Sequence, residues 1–295
     1  MSTLETDSGL AIEVKDLKKS YGPHEAVSGI SFDVKQGEVF GLLGPNGAGK
    51  TTTVEILEGY RSRSEGSVSV LGLDPGQRPQ DLRERVGIVL QSSALYANLT
   101  VHEALSHFAS LYPTPRDVEE TIALVGLEGK EDSRSKTLSG GQQRRLDLAL
   151  ALIGNPELVF LDEPTTGFDP QARRAAWDTI RALRSLGTTI VLTTHYLDEA
   201  QALADRVAII KDGLVVAEGT PSEIGGESAH RARISWRDAD GTLQERETET
   251  PTRLLNEITG QALSAGIELR DLKVSRPSLE DVYLDLTSEE VDTDV

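Results

Sequence analysis

Cysteine is absent from this chain of 295 residues, aromatic residues are scarce at 4%, and no long apolar run occurs. The absence of cysteine excludes disulfides and cysteine-ligated zinc, and it is typical of a reducing compartment. No stretch reaches the ~18 apolar residues of a membrane-spanning helix. The polar, acidic segment Met1 to Gly9 also lacks the pattern of a secretion signal. We therefore expect a soluble chain.

Positive charge is also in short supply, with 30 lysine and arginine residues against 48 acidic residues and a net charge of −18. Such a surface repels the phosphates of nucleic acid and does not adhere to anionic lipid. We expect no nucleic-acid partner, and we expect any membrane association to run through a protein. The composition is 38% hydrophobic and 26% charged, typical of a globular protein with one large and one smaller domain.

Strand-like and helical segments alternate along residues 1–224, which predicts an α/β domain with a mainly parallel core sheet. Helical spacing dominates from about residue 97 to residue 155 and predicts a helical subdomain there. The composition changes near Gly225–Gly226. Beyond that point an Asp240–Gly241 turn between alternating segments, a helix at Leu254–Ala265, a strand at Ile267–Val274 and a last helix predict a small α+β domain over residues 225–295.

A glycine-rich segment lies between an apolar strand and a predicted helix, and it matches the phosphate-binding P-loop pattern. Its residues are Gly44, Pro45, Asn46, Gly47, Ala48, Gly49, Lys50, Thr51 and Thr52. In such a loop, backbone N–H groups turn around phosphate oxygens, and the helix N-terminus adds a positive dipole. Lys50 is predicted to bind the β- and γ-phosphates and Thr51 to bind Mg²⁺. A chance glycine-rich turn is disfavoured by the strand before it and the helix after it.

The apolar segment Leu158–Leu161 ends in two acidic residues, Asp162 and Glu163. The carboxyl ends of strands form the sheet edge where α/β proteins bind ligands. Asp162 is predicted to hold Mg²⁺, directly or through water, and Glu163 to accept a proton from the attacking water. The pair alone also fits solvated acids at a strand end, and the preceding P-loop favours the chemical interpretation.

The segment Leu138-Ser139-Gly140-Gly141-Gln142 opens another predicted helix. Ser139 and the two glycines fit a second anion-binding helix N-terminus, and they equally fit an ordinary cap, because serine is a preferred cap residue. One chain does not need two anion sites for one triphosphate. The basic pairs Lys18–Lys19 and Arg144–Arg145 are interpreted as solvated faces.

The three motifs occur in an order that resembles the ATP-binding subunits of ABC transporters, from about residue 10 to residue 224. The resemblance implies a P-loop NTPase cassette with a mainly parallel core sheet, an antiparallel β subdomain and a helical subdomain. It also implies a homodimer packed head to tail. Each ATP then lies between one P-loop and, in trans, residues Ser139, Gly140, Gly141 and Gln142 of the other chain, which explains the second anion site.

Four further residues match positions of this family, and their roles are implied by the resemblance alone. Tyr21 matches the aromatic residue that stacks on adenine, and Gln91 matches the glutamine that contacts Mg²⁺ and water. His195 matches the switch histidine that reaches the γ-phosphate. Asp169 matches the aspartate of a loop that crosses the dimer interface, although Phe168 stands where a leucine is usual. Without the family, Tyr21 would be interpreted as a partly buried strand tyrosine and His195 as a structural histidine, and Gln91 would carry no functional signal.

The resemblance implies an ATPase that hydrolyses Mg·ATP to drive transport through a separate integral membrane permease. Glu163, His195, Lys50 and Gln91 are the implied catalytic residues, and the chain is expected in the cytoplasm, on the inner face of the membrane. A GTPase is disfavoured because no Asn-Lys-x-Asp motif occurs. A chromosome ATPase would need a coiled-coil or zinc insertion, and a translation factor two cassettes. A non-transport nucleotide switch remains an alternative.

Two segments favour export over import. Residues 154–156 and 162–167 look like the drug- and antibiotic-exporter branch, and residues 276–284 are similar to the closing motif of daunorubicin/doxorubicin-resistance ATP-binding subunits. The C-terminal motif also fits a plain amphipathic helix that closes a small domain. An importer remains the alternative, and the transported molecule, a drug-like compound, another small molecule or a lipid, is selected by the permease.

Overall fold

The computed structural model describes residues 9–89, 97–224, 231–238, 240–275 and 279–287. The chain divides into two compact units, Met1–Glu218 and Gly219–Val295. The division falls a few residues before Gly225–Gly226, where the change in composition predicts the domain boundary. Among the residues that the structure describes, no helix combines the length and apolar character needed to span a membrane.

A six-stranded sheet forms the centre of the first unit. Its strands are β3 (Val39–Leu43), β5 (Val86–Val89), β6 (Leu158–Asp162), β7 (Thr189–Thr193), β8 (Arg206–Lys211) and β9 (Leu214–Gly219). The strand order is β5-β6-β7-β3-β8-β9, and the pairs from β5 to β8 are parallel. All residues of β3 and β7 are buried, as expected of central parallel strands covered on both faces.

The register of this sheet brings three strand ends together. Asp162 at the end of β6 pairs with Thr193 at the end of β7, and Thr193 pairs on its other side with Leu42 of β3. Since β3 leads directly into the glycine-rich loop, the acidic pair and the P-loop lie at one edge of the sheet. This is the carboxyl edge, where ligands bind in α/β folds.

A three-stranded antiparallel sheet supports the P-loop from the other side. It consists of β1 (Leu10–Tyr21), β2 (His24–Lys35) and β4 (Glu65–Val70), in the order β2-β1-β4. Its core is continuous with that of the parallel sheet, because Phe32 of β2 stacks on Phe40 of β3 with 5.3 Å between the ring centroids. The predicted antiparallel β subdomain is therefore present.

Seven helices accompany these sheets in the described part of the first unit. They are α1 (Lys50–Leu57), α2 (Gln80–Arg85), α3 (Val101–Ala109), α4 (Val118–Leu124), α5 (Gly140–Leu152), α6 (Pro170–Ser185) and α7 (Leu197–Leu203). Helices α3 to α5 pack around a shared apolar core that includes Leu105, Ile122 and Leu146. Each begins at a side-chain cap, from Thr100, Asp117 and Ser139 respectively.

The second unit is a small α+β module. Its strands β10 (Ala232–Arg237), β11 (Leu243–Thr248) and β12 (Arg270–Ser275) form an antiparallel sheet in the order β11-β10-β12, accompanied by α8 (Pro251–Ala265) and α9 (Leu279–Thr287). Ile234, Trp236 and Ile258 form its core. Helix α8 begins three residues earlier than predicted, because proline is favoured at the first helical position. Residues 276–278 of the predicted closing motif lie outside the described residues.

Candidate active site

The P-loop joins β3 to α1 and is packed tightly against two neighbouring strands. Gly44 has φ of 150° and Gly49 has φ of 103°. A Cβ atom at Gly44 would lie 2.2 Å from the carbonyl oxygen of Ile210, and one at Gly49 would lie 2.5 Å from that of Ala26. Both positions therefore require glycine for space as well as for conformation.

The backbone donors of the loop are available to an anion. Ala48 N–H donates to Pro45 at 3.2 Å, whereas no described residue accepts the N–H groups of Gly47, Gly49, Lys50 and Thr51. They lie at the N-terminus of α1, where the helix dipole favours negative charge. Four backbone donors without a described acceptor, at the N-terminus of a helix, fit a triphosphate.

Lys50 is buried and lies across this loop. Its Nζ donates to the carbonyl oxygens of Gly44 at 2.7 Å and Pro45 at 3.0 Å. Burial lowers the pKa of Lys50, while the nearby carboxylates of Glu163 and Asp162 act in the opposite direction. Thr51, the next residue, is exposed at the start of α1 and Thr52 is half-buried. The ammonium group and the threonine hydroxyl thus occupy the same end of the helix as the free N–H groups.

The two acidic residues are organised by a threonine on the neighbouring strand. Thr193 Oγ1 donates a hydrogen bond to Asp162 Oδ1 and accepts the N–H of Glu163 at 3.2 Å. The Glu163 N–H also donates to the Thr193 carbonyl oxygen at 3.1 Å. Glu163 has φ of 46°, which is unusual for a residue with a side chain. Such backbone strain costs about 1–3 kcal/mol and is concentrated at functional sites.

His195 approaches the Glu163 side chain directly. Its Nδ1 lies 3.3 Å from Glu163 Oε1, and Thr166 Oγ1 donates to Glu163 Oε2 at 3.2 Å. The imidazole packs on Tyr196 with 4.1 Å between centroids, and Arg173 covers the Tyr196 ring at 4.4 Å. The structure therefore brings together Lys50, Asp162, Glu163 and His195, all of them named from the sequence.

The residues predicted to act in trans lie at two exposed helix starts. Ser139 and Gln142 form a capping box: Ser139 Oγ accepts the Gln142 N–H at 3.3 Å, and Gln142 Oε1 accepts the Ser139 N–H at 3.0 Å. Ser139 and Gly140 are exposed, and Gly141 is half-buried. Asp169 is exposed too, and caps α6 by accepting the N–H groups of Gln171 and Ala172. Within the described part of the chain, neither Ser139 nor Asp169 hydrogen-bonds to the P-loop.

Of the two remaining predicted residues, Tyr21 has a position in the structure and Gln91 does not. Tyr21 ends β1 and is 40% exposed, with Lys19 Nζ at 5.1 Å and the Arg61 guanidinium at 5.3 Å from its ring centroid. A ring this exposed has area available for stacking on a flat base. Gln91 lies outside the described residues, so the structure gives it no position.

The solvated role expected for Arg144 is wrong. Its side chain is 13% exposed and donates to the carbonyl oxygens of Asp162 at 3.0 Å, Glu163 at 3.4 Å and Pro164 at 3.3 Å. The reason is helical periodicity, because Arg144 shares a face of α5 with the buried residues Leu148 and Ala151. The spacing of four and then three residues between Arg144, Leu148 and Ala151 is present in the sequence. The interpretation of the basic pair as a solvated face overlooked it.

Two acids near the site, the half-buried Glu58 and the buried Glu199, were also missed. Glu58 follows α1, and burial, together with the charges of Asp162 and Glu55, raises its pKa to about 8. Glu199 of α7 is fully buried and accepts hydrogen bonds from Thr165 Oγ1 at 2.8 Å and Trp177 Nε1 at 3.0 Å. Burial raises the pKa of Glu199 as well, although these hydrogen bonds act to lower it. Glu199 therefore ties the loop after Glu163 to α6.

A strand, a phosphate-binding loop and a helix, with two acids at the end of the next strand but one in the same sheet, define a P-loop nucleotide-binding protein. A family model for ABC transporters matches residues 27–166. The Nod factor export ATP-binding protein I of Paraburkholderia xenovorans is 41% identical over 95% of this chain and 98% of its own length. The daunorubicin/doxorubicin resistance ATP-binding protein DrrA of Streptomyces peucetius is 36% identical, over 98% and 96% respectively.

Solved structures agree with these sequence matches. The cbiO1 protein of Clostridium perfringens, part of the ABC transporter complex cbiONQ, is 29% identical over 75% of this chain and 93% of its own, with a TM-score of 0.68. A bacterial ABC transporter cassette described as dimeric is 25% identical over 71% and 98%, with a TM-score of 0.63. The chain belongs to the ABC transporter family, as an ATP-binding subunit homologous to exporter ATP-binding proteins. The predicted family and fold class are confirmed.

Proposed function

We propose that this chain binds Mg·ATP between two copies of itself and hydrolyses it to ADP and phosphate. Hydrolysis would energise export of a drug-like or other small molecule, or of a lipid, through a separate membrane permease. The observation that carries the proposal is the convergence of Lys50, Asp162, Glu163 and His195 at the shared edge of β3, β6 and β7.

The chemistry expected of these residues is positioning and charge stabilisation. The N–H groups of the P-loop and the Lys50 ammonium bind the β- and γ-phosphates. Mg²⁺, when bound by Thr51, Asp162 and Gln91, supplies further neutralisation of phosphate charge. Glu163 accepts the proton of the attacking water at a side-chain oxygen, and His195 holds that carboxylate in orientation while facing the γ-phosphate.

The homodimer is supported by the two exposed helix starts. The N-terminus of α5 presents Ser139 and Gly140 to solvent, and Asp169 is exposed at the start of α6. A second anion-binding terminus has a use if it meets the triphosphate held by the partner's P-loop. The description of one similar cassette as dimeric supports the formation of a dimer.

The exporter role is supported by the relatives, which are named for export of Nod factors and for resistance to daunorubicin and doxorubicin. We place the chain in the cytoplasm, attached to the inner face of the cell membrane through the permease alone. The net charge of −18 supports attachment through a protein, because anionic lipid would repel the chain. Purification of the tagged chain from membranes, with identification of an integral partner, tests this part.

The catalytic assignment is tested by Glu163→Gln. This variant is expected to bind ATP, to hydrolyse it at least about 100-fold more slowly and to accumulate an ATP-dependent dimer. Glu257→Gln is the matched control, because Glu257 is an exposed acid of α8 in the second unit. Unchanged turnover in Glu163→Gln would remove Glu163 from its assigned role.

A further inference from the structure

The Arg144 guanidinium connects two segments that the proposed mechanism treats as separate. It extends from α5, the helix capped by Ser139, to the carbonyl oxygens of three consecutive residues that begin with the last residue of β6. It also pairs with Asp147 on the next turn of α5, with 3.8 Å between Nη1 and Oδ2. Arginine stays charged when buried, and a buried charge is tolerated when it is hydrogen-bonded.

The backbone of Glu163 is held on both sides by these contacts. Its N–H group is fixed by the hydroxyl and the carbonyl oxygen of Thr193, and its carbonyl oxygen accepts from Arg144 Nη2 at 3.4 Å. The same nitrogen donates to the Asp162 carbonyl at 3.0 Å. A left-handed φ at Glu163 persists only where its surroundings enforce it. Arg144 restrains this backbone conformation by its hydrogen bond to the Glu163 carbonyl oxygen.

Helix α5 links this contact to the surface that faces the proposed partner. Ser139 caps the helix, and Arg144 lies five residues later, about 7–8 Å along the axis at 1.5 Å per residue. A hydrogen-bonded helix of this length moves as one piece. A displacement of Ser139 and Gly140 is therefore transmitted to the carbonyl oxygens that Arg144 holds.

We infer that Arg144 is a positioning residue that couples the Ser139–Gly141 segment of a chain to Glu163 of the same chain. Engagement of Ser139 with the partner's nucleotide then sets the geometry of the chain's own Glu163, so that the two nucleotide sites of a dimer communicate. The inference rests on the proposed ATPase function. Arg144 acts through the loop backbone and does not contact the reacting atoms.

The first test separates kcat from KM. Arg144→Met keeps much of the apolar stem and removes every donor, so kcat is expected to fall about 10- to 100-fold, the effect of a small misplacement of a catalytic group. KM for ATP is expected to stay within about threefold, because the P-loop donors are untouched. Arg144→Lys keeps the charge but not the planar fork, and is expected to lose less activity than Arg144→Met. A kcat for Arg144→Met within about twofold of wild type would overturn the inference.

A matched variant controls for loosening of the helical subdomain. Ile122→Val shortens a fully buried side chain of α4 that packs in the same core as α5, without touching the guanidinium contacts. It is expected to lower the melting temperature while leaving kcat near that of wild type. If Ile122→Val loses as much kcat as Arg144→Met, the effect is general loosening and the inference fails. If Arg144→Met does not fold, Arg144→Lys carries the test, with an expected loss of about threefold or more in kcat.

The coupling itself is measured in the Glu163→Gln background, where ATP is bound but not consumed. Adding Arg144→Met is expected to raise the ATP concentration for half-maximal dimer formation about 10-fold or more, with unchanged binding of a fluorescent ATP analogue to the monomer. Equal dimer formation would overturn the inference. Failure of the proposed function and failure of the inference give different results. A wild-type chain without ATPase activity contradicts the proposed function. An active wild type with an indistinguishable Arg144→Met contradicts the inference alone.

Discussion

Nδ1 of His195 lies 3.3 Å from Oε1 of Glu163, just beyond the ends of β7 and β6. The contact joins the proposed general base to a ring that is itself packed on Tyr196 and covered by Arg173. A carboxylate held in this way has fewer orientations to lose before it meets the attacking water.

Replacing His195 by alanine tests this relationship. We expect His195→Ala to lower kcat about 100-fold or more, within the range of acid–base and orienting contributions, with ATP binding retained because the P-loop is unchanged. Steady-state ATPase kinetics and equilibrium nucleotide binding check both parts. His102→Ala is the control, since His102 is an exposed residue of α3 whose ring contacts Glu119 at 3.4 Å and Ser106 at 3.4 Å. Equal turnover in the two variants would show that the His195 contact has no catalytic consequence.

Thr193 offers a second test, because one hydroxyl serves both acids. Thr193→Val keeps the shape of the side chain but removes the hydrogen bonds to Asp162 and from Glu163. We expect a loss of about 1–3 kcal/mol in the free energy of unfolding, the cost of leaving buried partners unpaired, and a higher Mg²⁺ requirement for activity. Thr193→Ser retains the hydroxyl and is expected to behave much more like wild type. Denaturant unfolding and Mg²⁺ titration measure the difference, and identical curves for the two variants would refute it.

The P-loop glycines allow steric and conformational effects to be separated. Gly44→Ala places a Cβ 2.2 Å from a backbone oxygen, whereas Gly47→Ala meets nothing within 4 Å, although both residues have positive φ. We expect Gly47→Ala to lose about 1–2 kcal/mol in unfolding free energy from its φ alone, and Gly44→Ala clearly more. Unfolding without nucleotide gives this comparison, and equal losses would mean that the loop relaxes away from β8.

The sequence was sufficient for the elements that local chemistry specifies. The P-loop, the acidic pair and Ser139 each lie on a strand end or helix start that the flanking residues determine. Thr193 was missed because its role depends on β6 and β7 being neighbours, and strand order is not a local property. Glu58 and Glu199 were missed for a similar reason: a burial that raises a pKa arises from tertiary packing. Gln91 stays a prediction, as do the assigned roles of the other site residues.

Glu58 makes stability depend on pH in a defined direction. Its pKa is raised from 4.5 to about 8 by burial first and then by Asp162 and Glu55. Between these values the folded chain keeps a proton that the unfolded chain releases, so stability falls as pH rises from about 4.5 to 8. Glu58→Gln removes this dependence. Its unfolding free energy, relative to wild type, is expected to increase between pH 5 and pH 9 by about 3–4 kcal/mol.

Urea unfolding at several pH values, in EDTA and without nucleotide, tests the Glu58 prediction. Glu257→Gln again serves as the control, because Glu257 is exposed, and its difference from wild type is expected to stay flat with pH. A flat difference for Glu58→Gln as well would place the pKa of Glu58 near its ordinary value and contradict the expectation.

Each triphosphate is proposed to be bound by the P-loop of one chain and the Ser139–Gly141 segment of the other. Two variants separate these halves. Lys50→Ala weakens the P-loop and leaves the segment intact. Gly140→Asp fits the fold, because nothing lies within 4 Å of an added Cβ, and its carboxylate repels a partner's triphosphate. In a heterodimer of the two variants, one site combines the altered P-loop with the altered segment. The other site combines the unaltered P-loop with the unaltered segment and is intact.

The most direct measurement mixes these variants, both in the Glu163→Gln background, and records dimer mass and retained ATP after gel filtration. Each variant alone is expected to remain monomeric with ATP. The equal mixture is predicted to form heterodimers that retain about one ATP per two chains, as expected for one intact site in a two-fold dimer. A Gly140→Asp chain that retains ATP as a monomer, with no change on mixing, would rule out a nucleotide site shared between two chains.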